Sequence, residues 1–262
     1  VGVTTLGVIG GTGWLGGALL RPVLAKGFVA AADLILSSRS GKTAGFEAWP
    51  DIRFTTDSQV LAAQSDIVIL SVRPEDLDAL DLDLSGKLVI SVMARVPVAT
   101  LLTRFKSERI IRAMPNACAE QGLSFTPWLS APGTTNADAA FADSFFACSG
   151  RTTRLSTESE LDYFTALTGS GPAFIAAFAD AMIHDAIENG VAPDVADAAV
   201  RQLFLGAGAW MAGASQTPAD TMRVFTDYGG TTAAGLTAML SADIAGPISK
   251  GLAAARDKAA RG

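Results

Sequence analysis

Leu6-Gly7-Val8-Ile9-Gly10-Gly11-Thr12-Gly13-Trp14-Leu15-Gly16 places a short apolar run directly before the spacing G-x-G-x-x-G, and Ala18, Leu19, Leu20, Val23 and Leu24 follow at helical intervals. Strand, glycine turn and helix in that order form the setting in which the spacing binds a dinucleotide. Gly11 permits the tight turn, Gly13 lets the backbone approach a pyrophosphate, and Gly16 lets the helix pack closely on the strand. A tight strand-to-helix turn with no nucleotide is the alternative that these residues alone leave open.

Outward from this stretch, Asp33-Leu34-Ile35-Leu36 reads as a second strand whose exit is Ser37-Ser38-Arg39-Ser40. An NAD site usually carries an acid at that exit for the ribose hydroxyls, whereas an NADP site offers an arginine and small polar groups to the 2′-phosphate. Asp33 stands at the wrong end of the strand. NADP is therefore the expected cofactor, with NADPH preferred over NADH, and an ordinary solvated Arg39 is the alternative. Ile52-Arg53-Phe54, Asp66 to Val72, Leu88 to Val92 and Ile110 to Met114 continue as strands, several of them apolar throughout, as in a parallel sheet covered on both faces. Their exits carry Ser71, Val72-Arg73-Pro74 and Pro115-Asn116, at the sheet edge where such folds bind ligands. Gly122 to Thr126 is expected as a further strand, Asn136 to Cys148 as a helix, and Arg151 to Leu155 as a last strand or connector.

Strand signals stop after the polar join Ser156-Thr157-Glu158-Ser159-Glu160. The expected fold class is α/β: a Rossmann-type dinucleotide-binding domain over residues 1–154, followed by an all-α domain over 155–262. Pro172 suits a first helical turn and Gly190 a left-handed C-terminal position, so Ala173 to Asn189 reads as one helix. Phe174, Ile175, Phe178, Met182 and Ile187 make it apolar nearly all round, and a helix of that kind must be covered. A second copy of the chain is the expected cover. Val195 to Ala212, Pro218 to Phe225 and Ala242 to Arg261 are the other expected helices.

Between the last two lies Asp227-Tyr228-Gly229-Gly230-Thr231-Thr232-Ala233-Ala234-Gly235-Leu236. Two glycines release the backbone, and the helix that opens after them begins with N–H groups that lack partners. A small carboxylate could rest on the N–H groups of Gly230, Thr231 and Thr232. The stretch holds no His, Lys, Arg or Cys, so chemistry there would use weak donors and a positioned backbone. A plain helix end followed by a capped helix start is the alternative.

The 262 residues, 49% of them hydrophobic, suffice for two ordinary domains with a sizeable core. A net charge of -6 with 18% charged residues leaves no footprint for nucleic acid and no polybasic segment for anionic lipid. The opening residues lack a basic leader, so no export and no membrane span are expected. Cys118 and Cys148 have no metal-type partners nearby, which points to a reducing cytoplasm. His184, the single histidine, falls in mid-helix and reads as structural or solvated. Cys118 lacks a basic neighbour to form a thiolate.

Five stretches, in order and across essentially the whole chain, resemble the pyrroline-5-carboxylate reductase family. They are Gly11 to Gly16; Val72-Arg73-Pro74, where members usually have Val-Lys-Pro; Arg112-Ala113-Met114-Pro115-Asn116; Thr165-Ala166-Leu167-Thr168-Gly169-Ser170-Gly171-Pro172-Ala173; and Gly229 to Leu236. The resemblance implies reduction of 1-pyrroline-5-carboxylate, a cyclic imine acid, to L-proline by NADPH or NADH, in a homodimer with interlocked helical domains that is often built into a ring of dimers. It implies cofactor contacts at Gly11, Thr12, Gly13, Trp14, Leu15, Ser38, Arg39, Val72, Arg73, Pro74 and Asn116. It assigns substrate contacts to Gly230, Thr231 and Thr232, with Thr232 near the ring nitrogen as the catalytic residue. Three positions depart from the family pattern: Ala117-Cys118 stand where Thr-Pro is common, Asp227-Tyr228 where proline precedes the two glycines, and Arg95 where glycine is usual. They leave two alternatives, a sibling reductase for another cyclic imine acid and a non-catalytic dinucleotide-binding regulator.

Overall fold

In the computed structural model the described residues are 4–39, 41 and 43–261. Ser40 of the expected phosphate-binding exit and Val1 to Val3 lie outside them. The chain divides into two compact units, Val1–Pro172 with Ala255–Gly262, and Ala173–Ala254.

The first unit is built on one sheet of β1 (Leu6–Ile9), β2 (Leu34–Ser37), β3 (Arg53–Thr55), β4 (Ile67–Leu70), β5 (Leu88–Ser91), β6 (Arg109–Ala113), β7 (Ser124–Ser130) and β8 (Gly150–Arg154). Its order is β3-β2-β1-β4-β5-β6-β7-β8, parallel from β3 to β6, with β7 antiparallel to β6 and β8 parallel to β7. The apolar runs in the sequence have this cause, since side chains alternate between two covered faces. Leu6, Val8, Leu34, Leu36, Ile67 and Ile69 share one core with α1 (Trp14–Ala25) and α4 (Asn136–Ala147). Ile9, Ile35, Val68 and Leu70 share the other with α2 (Ser58–Ala63) and α3 (Val98–Phe105). Each such side chain contributes about 1.5–3 kcal/mol relative to exposure.

Where the structure extends the sequence reading, the causes are local. The strand expected to stop at Thr126 runs to Ser130, through Pro127. Proline offers no N–H, but its carbonyl accepts the Met114 N–H at 2.9 Å, so pairing with the end of β6 continues. After β8 ends at Arg154 the first unit continues to Pro172. There α5 (Glu158–Phe164) leads into a π-helical turn, Thr165–Gly169, with Leu161 and Ala166 buried and the Phe164 ring stacked on Phe125 at 5.7 Å. Arg112, fully buried, bonds Glu158 at 2.9 Å, and Glu158 in turn accepts the first N–H of α3 from Val98 at 2.7 Å.

A second ion pair, with its carboxylate buried, carries a pH signature. Asp138 lies in the first turn of α4, where it completes a capping box with Thr135 and accepts Arg109 Nε at 2.9 Å. Burial works to raise its pKa, but the bonds from Arg109 and Thr135 outweigh burial and hold it below the ordinary 3.8. A depressed carboxylate stabilises the fold above its unfolded pKa and ceases to do so as pH falls through the folded value. Asp138→Asn is expected to lower stability by about 1–2 kcal/mol near neutral pH. In urea titrations that difference should begin to shrink below about pH 4 and close as the pH falls through the depressed folded value; a difference unchanged down to the acid limit of folding would remove the charge from the account.

From Gly171 onward the chain is helical: α6 (Gly171–Glu188), α7 (Pro193–Gly213), α8 (Pro218–Tyr228), α9 (Gly230–Ser241) and α10 (Ala245–Ala260). Helix α8 runs past the expected Phe225 to Tyr228, and the closing helix starts three residues later than Ala242 because Asp243 adopts φ +54°. None of α6, α8 or α9 buries a residue, and α7 buries only Ala196 and Val200. Leu205, 64% exposed, is typical, and Ile175, Trp210, Val224, Leu240 and Ile248 stand exposed with it. Exposed apolar side chains in this number on the helical unit call for something to cover them.

Candidate functional site

The glycine turn after β1 is held by contacts that tolerate no side chain. Gly10, at φ +78°, donates to Ser37 O at 2.8 Å, which ties the turn to the end of β2. A Cβ added at Gly16 would stand 2.7 Å from Gly10 O and 2.9 Å from Gly11 Cα. Gly13, the N-cap of α1, places no side chain over the helix start. The first N–H groups of α1 therefore lack both an intrahelical partner and a side-chain cap, which fits a pyrophosphate. Trp14 stands at the same helix start with its indole 72% exposed.

Beside the turn, arginines from three strand exits converge on two acids that the sequence reading passed over. The segment after β4 enters a 3-10 turn, Pro74–Ala79, whose first residues are Pro74, Glu75 and Asp76. Asp76 accepts Arg73 Nε at 3.2 Å and Arg39 Nη1 at 3.1 Å, the latter from the exit of β2. Glu75 accepts Arg95 Nη2 at 2.8 Å, from beyond β5. The Arg73 guanidinium foremost, with the charge of Arg39, holds the Asp76 carboxyl below its usual range against partial desolvation. For Glu75 a bond from its own backbone N–H leads and the Arg95 bond follows, with the same direction. Arg39 thus meets a carboxylate here, alongside the half-buried Ser38. Arg95 adopts φ +63°, a conformation natural to the glycine that relatives are expected to carry there. The acids directly after Arg73-Pro74 were the available signal, though their distant partners were not visible in sequence.

At the exit of β6, Asn116 is nearly buried. Its side-chain oxygen accepts the Cys118 N–H at 2.9 Å and its amide donates to Thr168 O at 3.0 Å. The π-helical turn presents that carbonyl: Ser170 N–H reaches back to Thr165 O at 2.9 Å, five residues earlier. This bond joins two of the stretches that carry the family resemblance. Cys118 and Cys148 are both free, and burial pushes the Cys148 thiol up.

The second unit carries the other half of the expected residues. Gly229 (φ +79°, ψ −166°) and Gly230 (φ +80°) turn the chain from α8 into α9, with no neighbouring atom within 4 Å of either missing Cβ. Gly229 caps α9 without a side-chain bond, so the N–H groups of Gly230, Thr231 and Thr232 form an open donor set of the kind an anion occupies. Tyr228, directly before them, is 90% exposed. His184 bonds the backbone of its own helix at Asp180 O, 2.9 Å away, and lies on an exposed face.

A doubly wound sheet whose glycine turn fits a pyrophosphate, continued by a helical unit with an open donor set, defines the class of dinucleotide-dependent oxidoreductases. Residues 158–261 match the family model for pyrroline-5-carboxylate reductase dimerisation, and residues 5–95 match that for coenzyme F420-dependent NADP oxidoreductase. The chain is 30% identical to the pyrroline-5-carboxylate reductase of Methanosarcina acetivorans over 89% of each protein. It superposes on the 1-pyrroline-5-carboxylate reductase of Streptococcus pyogenes with a TM-score of 0.84 at 27% identity, covering 98% of both chains. The Plasmodium falciparum pyrroline carboxylate reductase with NADP bound, 22% identical, shares the fold at a TM-score of 0.85 over 98% of this chain and 97% of its own. The chain belongs to the pyrroline-5-carboxylate reductase family.

Proposed function

We propose that this chain reduces 1-pyrroline-5-carboxylate to L-proline with a nicotinamide dinucleotide, NADPH in preference to NADH. The observation that carries the reading is the open donor set at the start of α9, fitted to a small carboxylate, in a chain with a dinucleotide turn and this family membership. On this reading the turn Gly11 to Leu15 holds the pyrophosphate, and Ser38 with Arg39 receives the 2′-phosphate. Val72, Arg73, Pro74 and Asn116 border the cofactor, Asn116 by fixing the β6 exit. The reduced nicotinamide supplies the hydride when bound.

Gly230, Thr231 and Thr232 donate to the substrate carboxylate, and the Thr232 hydroxyl orients the ring nitrogen. A pyrroline nitrogen takes its proton from solvent near neutral pH, so the task left to the protein is orientation. Donors without a strong general acid suffice for that, whereas a carbonyl substrate would call for a better proton donor. A sibling imine acid with a second anionic group is the other reading. It is favoured by Arg95, a cation bonded to Glu75 where the family resemblance leads one to expect glycine, and by the exposed phenol of Tyr228.

The working unit is a homodimer, assembled further into a ring of dimers, in a reducing cytoplasm that keeps Cys118 and Cys148 free. The continuous run Glu158–Glu188 is long and apolar enough to cross a membrane by length and composition. Asp180, His184 and Asp185 interrupt it, and a second copy supplies the matching apolar face. One preparation tests the reading: it is expected to sediment as a dimer or larger at micromolar concentration and to oxidise NADPH with 1-pyrroline-5-carboxylate. Oxidation with a different five- or six-membered imine acid alone would transfer the assignment to the sibling, and a stable monomer without turnover would end it.

A further inference from the structure

Asp76 occupies a place that the cofactor reading leaves unexplained. The chain's β1 lies between β2 and β4 in the sheet, and the Arg39–Asp76 pair joins the exits of those two flanking strands. It therefore spans the end of the strand that feeds the glycine turn, where a dinucleotide enters an open α/β fold. NAD-type sites carry their carboxylate at the end of the second strand. Here that exit has none, and Asp76 brings one to it from the turn after β4. Among the described residues, the charged groups around Asp76 are Arg39 and Arg73, both bonded to it, and Glu75, which is turned to Arg95.

We propose that Asp76 is a cofactor-selecting residue: its carboxylate competes with the 2′-phosphate for the Arg39 guanidinium and so narrows the preference for the phosphorylated cofactor. A 2′-phosphate and a carboxylate cannot share one exposed guanidinium without mutual repulsion. Arg39 must swing from Asp76 to the phosphate, and its side chain, 82% exposed, is free to do so. Arg73 stays with Asp76 and keeps the acid ionised, so the competition persists across the neutral pH range. The unphosphorylated cofactor makes no claim on Arg39 and does not meet this competition. The selectivity therefore sits in the ratio between two nucleotides that differ by one phosphate, which a merely structural role for Asp76 would leave unchanged.

The inference rests on the dinucleotide assignment above, and calorimetric titration of the full chain with 2′,5′-ADP and with 5′-ADP separates the two. Asp76→Asn is expected to bind 2′,5′-ADP on the order of three- to tenfold tighter at low salt, with the gain shrinking as ionic strength rises. Binding of 5′-ADP should stay within about twofold, as a local charge change acting on the phosphate alone requires. In an Arg39→Gln background the same substitution should give no gain. Unchanged or weaker 2′,5′-ADP binding, or an equal gain for both nucleotides, overturns the role of Asp76 and leaves the dinucleotide site standing. Failure of the unaltered chain to bind either nucleotide overturns both.

Discussion

Gly16→Ala is expected to cut dinucleotide affinity by on the order of a hundredfold, a loss of about 2.7 kcal/mol. Gly17→Ala, one position along the same helix, should leave affinity within about threefold, because side chains can absorb a methyl that backbone cannot. A methyl at Gly16 lands 2.7 Å from Gly10 O and 2.9 Å from both Gly11 Cα and Gly11 O, all backbone atoms. At Gly17 the nearest atom, at 2.6 Å, is the guanidinium end of Arg21, which can swing aside. Gly10 is itself held in its turn, since it keeps φ +78° and its N–H bonds Ser37 O at 2.8 Å. The start of α1 must therefore move off β1, and the N–H groups that would meet a pyrophosphate move with it. The same overpacking should cost about 1–3 kcal/mol of stability, while Gly17→Ala gains roughly 0.5–1 kcal/mol from helix propensity. Titration with NADP+ and thermal unfolding of both variants measure the contrast; equal nucleotide affinity in the two would show that Gly16 does not shape the cradle.

That contrast was half legible in the sequence. The glycine spacing, the apolar strands and the switch from strand to helix signals all depend on residues within about a dozen positions of one another, the range over which periodicity carries information. The expected α/β sheet with a helical second half follows from them; the pyrroline-5-carboxylate reductase family was legible only as a resemblance carried by five separate stretches, and the relatives show it. Partnerships between distant residues were not legible. Arg39 lies 37 residues from Asp76 and Arg95 lies 20 from Glu75, and nothing in a local pattern says which acid a solvated arginine will meet. The full burial of Arg112 was hidden for the same reason, since its partner Glu158 is on another element. The strand expected to end at Thr126 erred in the other direction, because Pro127 gives up only its N–H and can continue a strand whose carbonyl is the group in use.

Thr232→Ala is expected to lower kcat with 1-pyrroline-5-carboxylate by on the order of a hundredfold, the usual effect of removing one positioned donor from a transition state. The expectation follows from what the start of α9 lacks. Neither Gly229 nor Gly230 has an atom within 4 Å of its missing Cβ, Thr232 is exposed, and Gly229 to Leu236 hold no acidic or basic side chain. A hydroxyl there has no structural contact to lose, so its removal should leave the melting temperature within about 1–2 °C, as for a surface change. Thr232→Ser keeps the hydroxyl and should recover most of the turnover, while Thr232→Val keeps the shape and should not. The backbone half of the cradle is separable. Gly229→Ala would place a side chain at φ +79°, ψ −166°, a region open to glycine almost alone. The resulting strain of about 1–3 kcal/mol should turn the Gly230 to Thr232 N–H groups away from one another. It is therefore expected to raise KM for the imine acid, where Thr232→Ala lowers kcat. Turnover in Thr232→Ala equal to that of the unaltered chain would take the hydroxyl out of the chemistry. A Gly229→Ala protein with an unchanged KM would mean that the substrate carboxylate is bound elsewhere.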